Sequence, residues 1–352
     1  MGYVKLPESL TLVDATTIVV GSMIGSGIFL KASAMSKLLP HPGLLLLAWF
    51  LGGLLTLCGS LTLAEMAARF PKTGGLYVYI KEGYGPLAGY LFGWSLLAVM
   101  ETGSIAAMAA GAAQTLDETM KWDSAAARQI IGHSMIWALT IVHCLSVRLG
   151  IGVLQNLFTG AKGLGILMVI FFGFTSHTGT VAHLQGVGEV PSMGALISIM
   201  GLLVMKTLWA YDGWINATFV AGELKDSSRQ LPKALIGGSL LVILLYLATN
   251  SAFHFALSTP ELAANKSAAV AVTRVSAGEL AAWCIGLLTA FSMFGTLNGS
   301  IMSAPRVYFA MAADGLFIRQ MSKIHPRFQT PYVSLLVQAA WSSVLLSQWG
   351  TF

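Results

Sequence analysis

The first candidate for chemistry in this chain is a stretch of backbone rather than a side chain. Residues Val19-Val20-Gly21-Ser22-Met23-Ile24-Gly25-Ser26-Gly27-Ile28-Phe29 place three glycines and two serines inside an apolar run. Each glycine weakens a helix by about 1 kcal/mol relative to alanine. Together they allow a short unwound stretch, which frees backbone N–H groups. The N-terminus of a helix restarting there carries partial positive charge and favours a carboxylate by about 0.3–1 kcal/mol, or up to about 2 when partly buried. A second interruption lies in Lys206-Thr207-Leu208-Trp209-Ala210-Tyr211-Asp212-Gly213-Trp214-Ile215-Asn216-Ala217-Thr218. Asp212-Gly213 breaks that apolar segment, and freed carbonyls there suit an ammonium group. N–H donors on one break and carbonyl acceptors on the other read the α-carboxylate and α-amino group of an amino acid. Packing is the competing reading of the first motif, because Gly21-x-x-x-Gly25 is also a helix-contact face.

Ionisable residues inside apolar segments come next, since they are expensive in a membrane and mark function by default. Lys162 sits in Gln155-Asn156-Leu157-Phe158-Thr159-Gly160-Ala161-Lys162, too far from either segment end to snorkel. Glu101 precedes the small-residue run Thr102-Gly103-Ser104, and Lys206 lies one turn before Trp209. These two pair with each other or with Asp212, or they carry a proton; both alternatives stay open. His143 and His254 lack a second ligand at helical spacing, so no metal site is expected. Cys58, Cys144 and Cys284 are isolated and form no CxxC pair, and read as small buried thiols. No nucleophile–base–acid set is visible, and neither an enzyme nor a cofactor is expected.

The elements that must position these residues are membrane helices. Of 352 residues, 55% are hydrophobic and only 10% are charged, against about a quarter charged in soluble domains. Mean hydropathy is +0.73. A water-soluble enzyme, a disordered chain and a nucleic-acid binder are excluded on that basis, despite the net charge of +5 and pI near 9.1. A bilayer core needs roughly 20 apolar residues per helix. Nine segments qualify: 12–30, 43–66, 87–115, 130–147, 153–176, 195–221, 234–257, 280–311 and 332–349. Ile18 to Leu30, followed by Ala32-Ser33-Ala34, imitates a signal peptide. However, Glu8 and Asp14 offset Lys5 and further apolar segments follow, so this is an uncleaved first span. Loops on the N-terminal side carry eleven Lys and Arg, from Lys5 through Arg148 to Arg327, against six on the other side, from Lys31 to Arg274. The positive-inside rule then puts the N-terminus in the cytoplasm of a multi-pass inner (plasma) membrane protein. The chain ends at Trp349-Gly350-Thr351-Phe352 without a polar tail, which with an odd span count suggests either an outside C-terminus or a truncated chain.

Four motifs carry a family resemblance: Gly25-Ser26-Gly27-Ile28-Phe29; Phe70-Pro71-Lys72-Thr73-Gly74-Gly75-Leu76-Tyr77 with Glu65 before it; Leu208-Trp209-Ala210-Tyr211-Asp212-Gly213-Trp214 running on to Glu223; and Leu297-Asn298-Gly299-Ser300 with Pro305-Arg306-Val307-Tyr308-Phe309. In this order the chain resembles the amino acid–polyamine–organocation superfamily of amino acid permeases, and within it the bacterial relatives of the L-type amino acid transporters and the serine/threonine exchanger. The resemblance implies an all-α integral membrane protein with the LeuT-type inverted-repeat fold. Residues 1–176 would form the first five-helix repeat and 195–352 an incomplete second one, within a single transporter domain. It further implies that Gly25, Ser26 and Gly27 bind the substrate carboxylate through their backbone. Carbonyls near Met23, Trp209 and Asp212 would hold the amino group, and Trp209 would be an aromatic gate. Lys162 stands where sodium-coupled members of the fold bind sodium. Its ammonium would replace that cation and brace the first, fifth and eighth spans. Asp212, Glu101 and Lys206 depart from the family pattern.

The function expected from these readings is secondary amino acid transport by alternating access, with substrate between unwound helices 1 and 6. Coupling would be by exchange or by protons rather than sodium. Neutral amino acids are the expected substrates, with cationic ones admitted if Glu101 or Asp212 faces the site. The alternative is a truncated, non-transporting membrane relative acting as an amino acid sensor or assembly partner. The partners implied are an amino acid, the lipid bilayer and, on the coupled reading, protons; nucleic acid is not among them.

Overall fold

The first helix starts where Thr11 and Asp14 cap one another. The Thr11 N–H donates to Asp14 Oδ2 at 2.9 Å and the Asp14 N–H donates to Thr11 Oγ1 at 3.4 Å, which satisfies two donors that a helix start leaves free. From there α1 (Leu12–Met23) stops at Ile24, and the chain restarts as α2 (Gly27–Ser36). Three helices begin on proline, whose missing N–H is harmless at that position: α3 (Pro42–Arg69), α5 (Pro86–Ser95) and α14 (Pro305–Ala313). Between them run α4 (Leu76–Tyr84), α6 (Glu101–Met120), α7 (Ala125–Leu145) and α8 (Asn156–Phe174). The second half continues with α9 (Met193–Ala210), α10 (Asn216–Phe219), α11 (Ser227–Ala256), α12 (Thr259–Ala264), α13 (Ala268–Ser303) and finally α15 (Tyr332–Trp349). The computed structural model describes residues 6–146, 148–186 and 190–349. Lys5 and residues 350–352, used above in reading topology and chain end, lie outside them. Among the described residues one backbone bridge, Leu10 to Leu224, is the sole β-type pairing.

Among the described residues, seven helical segments are long and apolar enough to cross a membrane: Leu12–Ser36, Pro42–Arg69, Pro86–Met120, Gly152–Phe174, Met193–Ala210, Ser227–Ala256 and Ala268–Ala313. The expected count of nine is therefore not reached on that measure. The segments expected at 130–147 and 332–349 do form helices, α7 and α15, but they are too polar to join the seven. Several of their polar residues are turned into the protein: Thr140, His143, Ser334, Gln338 and Ser342 are all buried. The expected span at 280–311 begins just past a kink, since Gly278 sits at φ +83° inside α13.

The packing is inside-out, as lipid requires. On α8 Leu164, Leu167 and Phe171 face outward, while Lys162, Ile166 and Val169 are buried. Cys58 and Cys284 are exposed and Cys144 is partly so, which corrects the expectation of buried thiols; these small apolar groups face outward at no loss when the outside is hydrocarbon. Centrally, Trp49 on α3 packs edge-on against Tyr211 and against Tyr246 of α11, with ring centroids 5.8 and 5.6 Å apart.

One end of the bundle is tied by a buried ion pair. Arg306 of α14 donates from Nε to Glu223 Oε1 at 2.7 Å and from Nη2 to Oε2 at 3.1 Å; a third donor meets the Met302 carbonyl. Both side chains are essentially inaccessible. The N-terminal segment closes over this pair: the Ser9 and Leu10 N–H groups donate to the Glu223 carbonyl at 3.0 and 2.9 Å, and the Lys225 N–H returns to Leu10 O at 3.0 Å. Arg306→Ala should destabilise the protein by about 3–5 kcal/mol, because a buried carboxylate is left without its partner. The double change Glu223→Leu with Arg306→Met should lose less than either single truncation, as read from thermal unfolding in detergent.

Candidate functional site

The two breaks border one cavity of about 340 Å³. Ser22, Met23, Gly25, Ser26 and Gly27 line it from the first break, and Trp209, Ala210, Asp212, Gly213 and Ile215 from the second. A third wall comes from α6 (Glu101, Ser104, Met108) and α13 (Met293, Thr296, Ser300). Glycine is what allows the two breaks to meet. A Cβ on Gly27 would lie 2.9 Å from Ala210 Cα. Gly213, at φ +108°, would put a Cβ 2.8 Å from the Ser22 carbonyl carbon.

The backbone at the first break is divided into satisfied carbonyls and free donors. The Gly25 N–H turns back to the Met23 carbonyl at 2.9 Å. The N–H groups of Ser26, Gly27 and Ile28 find no acceptor among the described residues. They form the start of α2, where unpaired N–H groups attract an anion. Three carbonyls at the two breaks, by contrast, are engaged. Met23 O accepts the Tyr246 hydroxyl at 2.8 Å in addition to Gly25. Ala210 O also accepts Tyr246, at 3.3 Å, and Trp209 O accepts the Asp212 N–H at 3.4 Å. The Asp212 residue lines the cavity and is exposed there, so its carboxylate can meet an ammonium group.

Lys162 lies behind the first break rather than in the cavity. It is fully buried and donates from Nζ to the Gly21 carbonyl at 2.6 Å and to Thr296 Oγ1 at 2.8 Å. These bonds join α8 to α1 and α13. Thr296 also donates to Ile24 O at 3.1 Å, so the carbonyls on both sides of Ser22-Met23 are held from behind. A longer polar chain extends this brace. Thr159 Oγ1 reaches Thr17 O at 3.0 Å, Asn298 Nδ2 reaches Gln155 Oε1 at 2.8 Å, and His143 Nε2 lies 2.9 Å from Asn298 Oδ1. A Cβ on Gly21 would strike Thr159 Oγ1 at 2.1 Å, so this glycine lets α8 close on α1.

Glu101 is the first residue after a π-helical turn, Leu96–Met100, and the Thr102 hydroxyl donates to the Leu97 carbonyl at 2.6 Å within it. An extra residue in one turn re-aims the side chains that follow, and such turns recur at functional sites. Glu101 points to the cavity, with Ser300 and Asp212 as polar neighbours. Lys206 does not join this group. It is half-buried and its electrostatic neighbour is Lys31; no ion pair links it to Glu101 or Asp212 among the described residues. Trp209 is 56% exposed and lies under the Lys31 ammonium, 4.1 Å from ring centroid to Nζ.

A larger vestibule of about 870 Å³ adjoins the cavity, and Leu30, Gly111 and Met293 line both. Lys31, Lys121, Lys266 and Arg274 line that vestibule together, which places their loops on one side of the bundle. Sequence reasoning missed Ser104, Thr296 and Ser300. The signal was present: Ser292, Thr296 and Ser300 repeat every fourth residue on one face of α13, as a buried polar stripe does. Among the described residues no cluster of His, Cys, Asp or Glu could hold a metal ion.

The model of the Amino acid permease family matches residues 10–349. The chain belongs to that family. It is 33% identical over 347 residues to the serine/threonine exchanger SteT of Bacillus subtilis, covering 97% of this chain and 77% of the exchanger. It is 31% identical to the Asc-type amino acid transporter 1 of Mus musculus, covering 99% of this chain and 66% of the transporter. The b(0,+)-type amino acid transporter 1 of the same organism is 32% identical, covering 94% of this chain and 68% of the transporter. These relatives are membrane transporters, and this family is one of permeases rather than enzymes. Among solved structures, Mhp1, a nucleobase-cation-symport-1 family transporter in a closed conformation with bromovinylhydantoin bound, superposes with TM-score 0.65 at 12% identity, covering 99% of this chain and 75% of that one. That likeness concerns the fold alone, which is of the LeuT type.

Gly27→Val should abolish ligand binding, because its side chain has no room between α2 and Ala210. Gly43→Val, at a position where a Cβ meets nothing within 4 Å, should leave binding unchanged. Thermal-shift titration of both variants with a pool of amino acids separates a blocked site from general damage.

Proposed function

We propose that this chain is a secondary amino acid transporter that works by alternating access, gripping its substrate by the zwitterion between the two broken helices. The observation that carries this reading is the meeting of two chain breaks at one cavity, with unpaired N–H groups on one and an accessible carboxylate on the other. The N–H groups of Ser26 and Gly27, with Gly25 shaping the turn, take the α-carboxylate. Asp212 takes the α-ammonium group, with the Met23 and Trp209 carbonyls as its backbone surroundings. Neutral amino acids satisfy this grip. Interrupted helices in corresponding places of the two repeats, 1–176 and 195–352, are the expected location of such a site. Trp209, now parked beneath Lys31, is the lid that folds over bound substrate.

Transport on this reading does not use sodium, because Lys162 already supplies the cation that holds the broken first helix to α8 and α13. Coupling is by exchange of one amino acid for another or by a proton. The carboxyl groups of Glu101 and Asp212 are the candidate carriers of that proton; Lys206, apart from them, is not. The protein sits in the inner membrane with its N-terminus in the cytoplasm, so the vestibule faces outward.

Proteoliposomes holding the protein and preloaded with unlabelled amino acids should take up labelled amino acid equally in sodium and in choline buffer. Lys162→Ala should reduce that uptake by tenfold or more, roughly the 1.4 kcal/mol of one lost charged hydrogen bond. Uptake that requires sodium, or full uptake by the alanine variant, would overturn the role given to Lys162. Uptake only into preloaded vesicles identifies exchange, and uptake driven by an imposed pH gradient identifies proton coupling.

A further inference from the structure

Glu101 has a carboxylate oxygen with nothing to bind. Its side chain is only 9% exposed, yet Oε1 accepts no hydrogen bond among the described residues. None of the ion pairs of those residues includes Glu101. The fully buried cations are committed elsewhere. Lys162 is spent on Gly21 and Thr296, and Arg306 on Glu223. The hydroxyl of Tyr308, close enough to feel the Glu101 charge, is also without a partner. A buried acceptor in this state calls for a donor, and Glu101 is among the residues lining the cavity from which one would come.

The position of Glu101 indicates which part of a ligand supplies that donor. The carboxylate and ammonium of an amino acid leave the same carbon atom, and the two breaks take both of them. The α6–α13 wall, where Glu101 stands with Ser104 and Ser300, is left for the side chain. We infer that Glu101 is a specificity-determining residue that accepts a hydrogen bond from the substrate side chain. Amino acids carrying a side-chain donor, a hydroxyl or a terminal ammonium, are then preferred over aliphatic ones of similar size. This rests on the proposed reading of the cavity as an amino acid site. A site built to hydrogen-bond its ligand discriminates strongly against an analogue lacking the group, since its own polar atom is then left unpaired.

Competition for uptake in proteoliposomes tests this with serine, threonine, lysine, alanine and valine as competitors. The wild-type protein should prefer serine over alanine, or lysine over valine, by about tenfold or more. Glu101→Met, of similar volume and without an acceptor, should erase that preference, read as the ratio of competitor affinities in thermal-shift titration, a binding measurement that needs no proton transfer. Glu101→Gln keeps an acceptor but not the charge. It should retain a preference for a hydroxyl and lose one for an ammonium, so it distinguishes the two donors. If Glu101→Met fails to fold by thermal unfolding, Glu101→Gln and the wild-type preferences decide. An absence of donor preference in the wild type, or one unchanged in the methionine variant, overturns the inference. An equal loss for all five amino acids also overturns it, since Glu101 would then hold the part they share. Failure of the wild type to bind any amino acid defeats the transporter reading itself.

Discussion

Hydrocarbon offers no hydrogen bonds, so each peptide group released from a helix within the bilayer must find its partner in protein or in a water-filled cavity. This constraint organises the whole molecule. At the first break the chain gives up helical pairing around Ile24–Ser26, and the protein answers carbonyl by carbonyl. Gly21 meets Lys162, Met23 meets Tyr246, and Ile24 meets Thr296. What remains unanswered is the set of N–H groups opening α2, and these sit where the cavity begins. The second break obeys the same rule, with Tyr246 serving both sides by also reaching Ala210.

The same residues that satisfy the breaks also hold them in place. Lys162 joins three helices through two short hydrogen bonds, and the Gln155–Asn298–His143 chain extends the joint to α7. Glycines at 21, 27 and 213 bring backbone against side chain or backbone, at distances that no Cβ would tolerate. Rigid support of an unwound segment is what a polar site in lipid needs, because a loose one would re-form its helix and bury its own donors. At the other end, Arg306 and Glu223 are both removed from solvent and clamp α14 to the segment after α10. The cavity adjoins the basic vestibule, and the N-terminal segment packs over the clamp.

Much of this was legible in residue order. Seven long apolar runs became helical segments among the described residues, since burial in lipid depends on composition over some twenty residues and little else. The run expected at 195–221, however, closes at Ala210, and those expected at 234–257 and 280–311 open at Ser227 and Ala268. The interrupted helices were legible because glycine clusters and Asp212-Gly213 are unusual in such runs. The weaker segments at 130–147 and 332–349 were harder to judge. They are helices whose polar faces turn inward, and hydropathy alone does not report direction. The position of Lys206 was also hidden. Spacing puts it one turn from Trp209, but only packing shows that it stands with Lys31 and apart from the carboxylates. The Met23 carbonyl looked available for an ammonium group because Tyr246 lies more than two hundred positions away in the chain.

The sequence by itself determined that this is a membrane protein of helices, with two weak points in them and a few costly charges between, since these follow from local composition and backbone propensity. Tertiary structure alone decided which of those charges meet. It put Lys162 behind the break and Glu101 and Asp212 before it, and it took the Met23 carbonyl out of play. The reason is geometric: helix periodicity tells which face a residue shares with its neighbours, but the rotation of each helix against the others sets whether that face looks into a cavity, a partner or lipid.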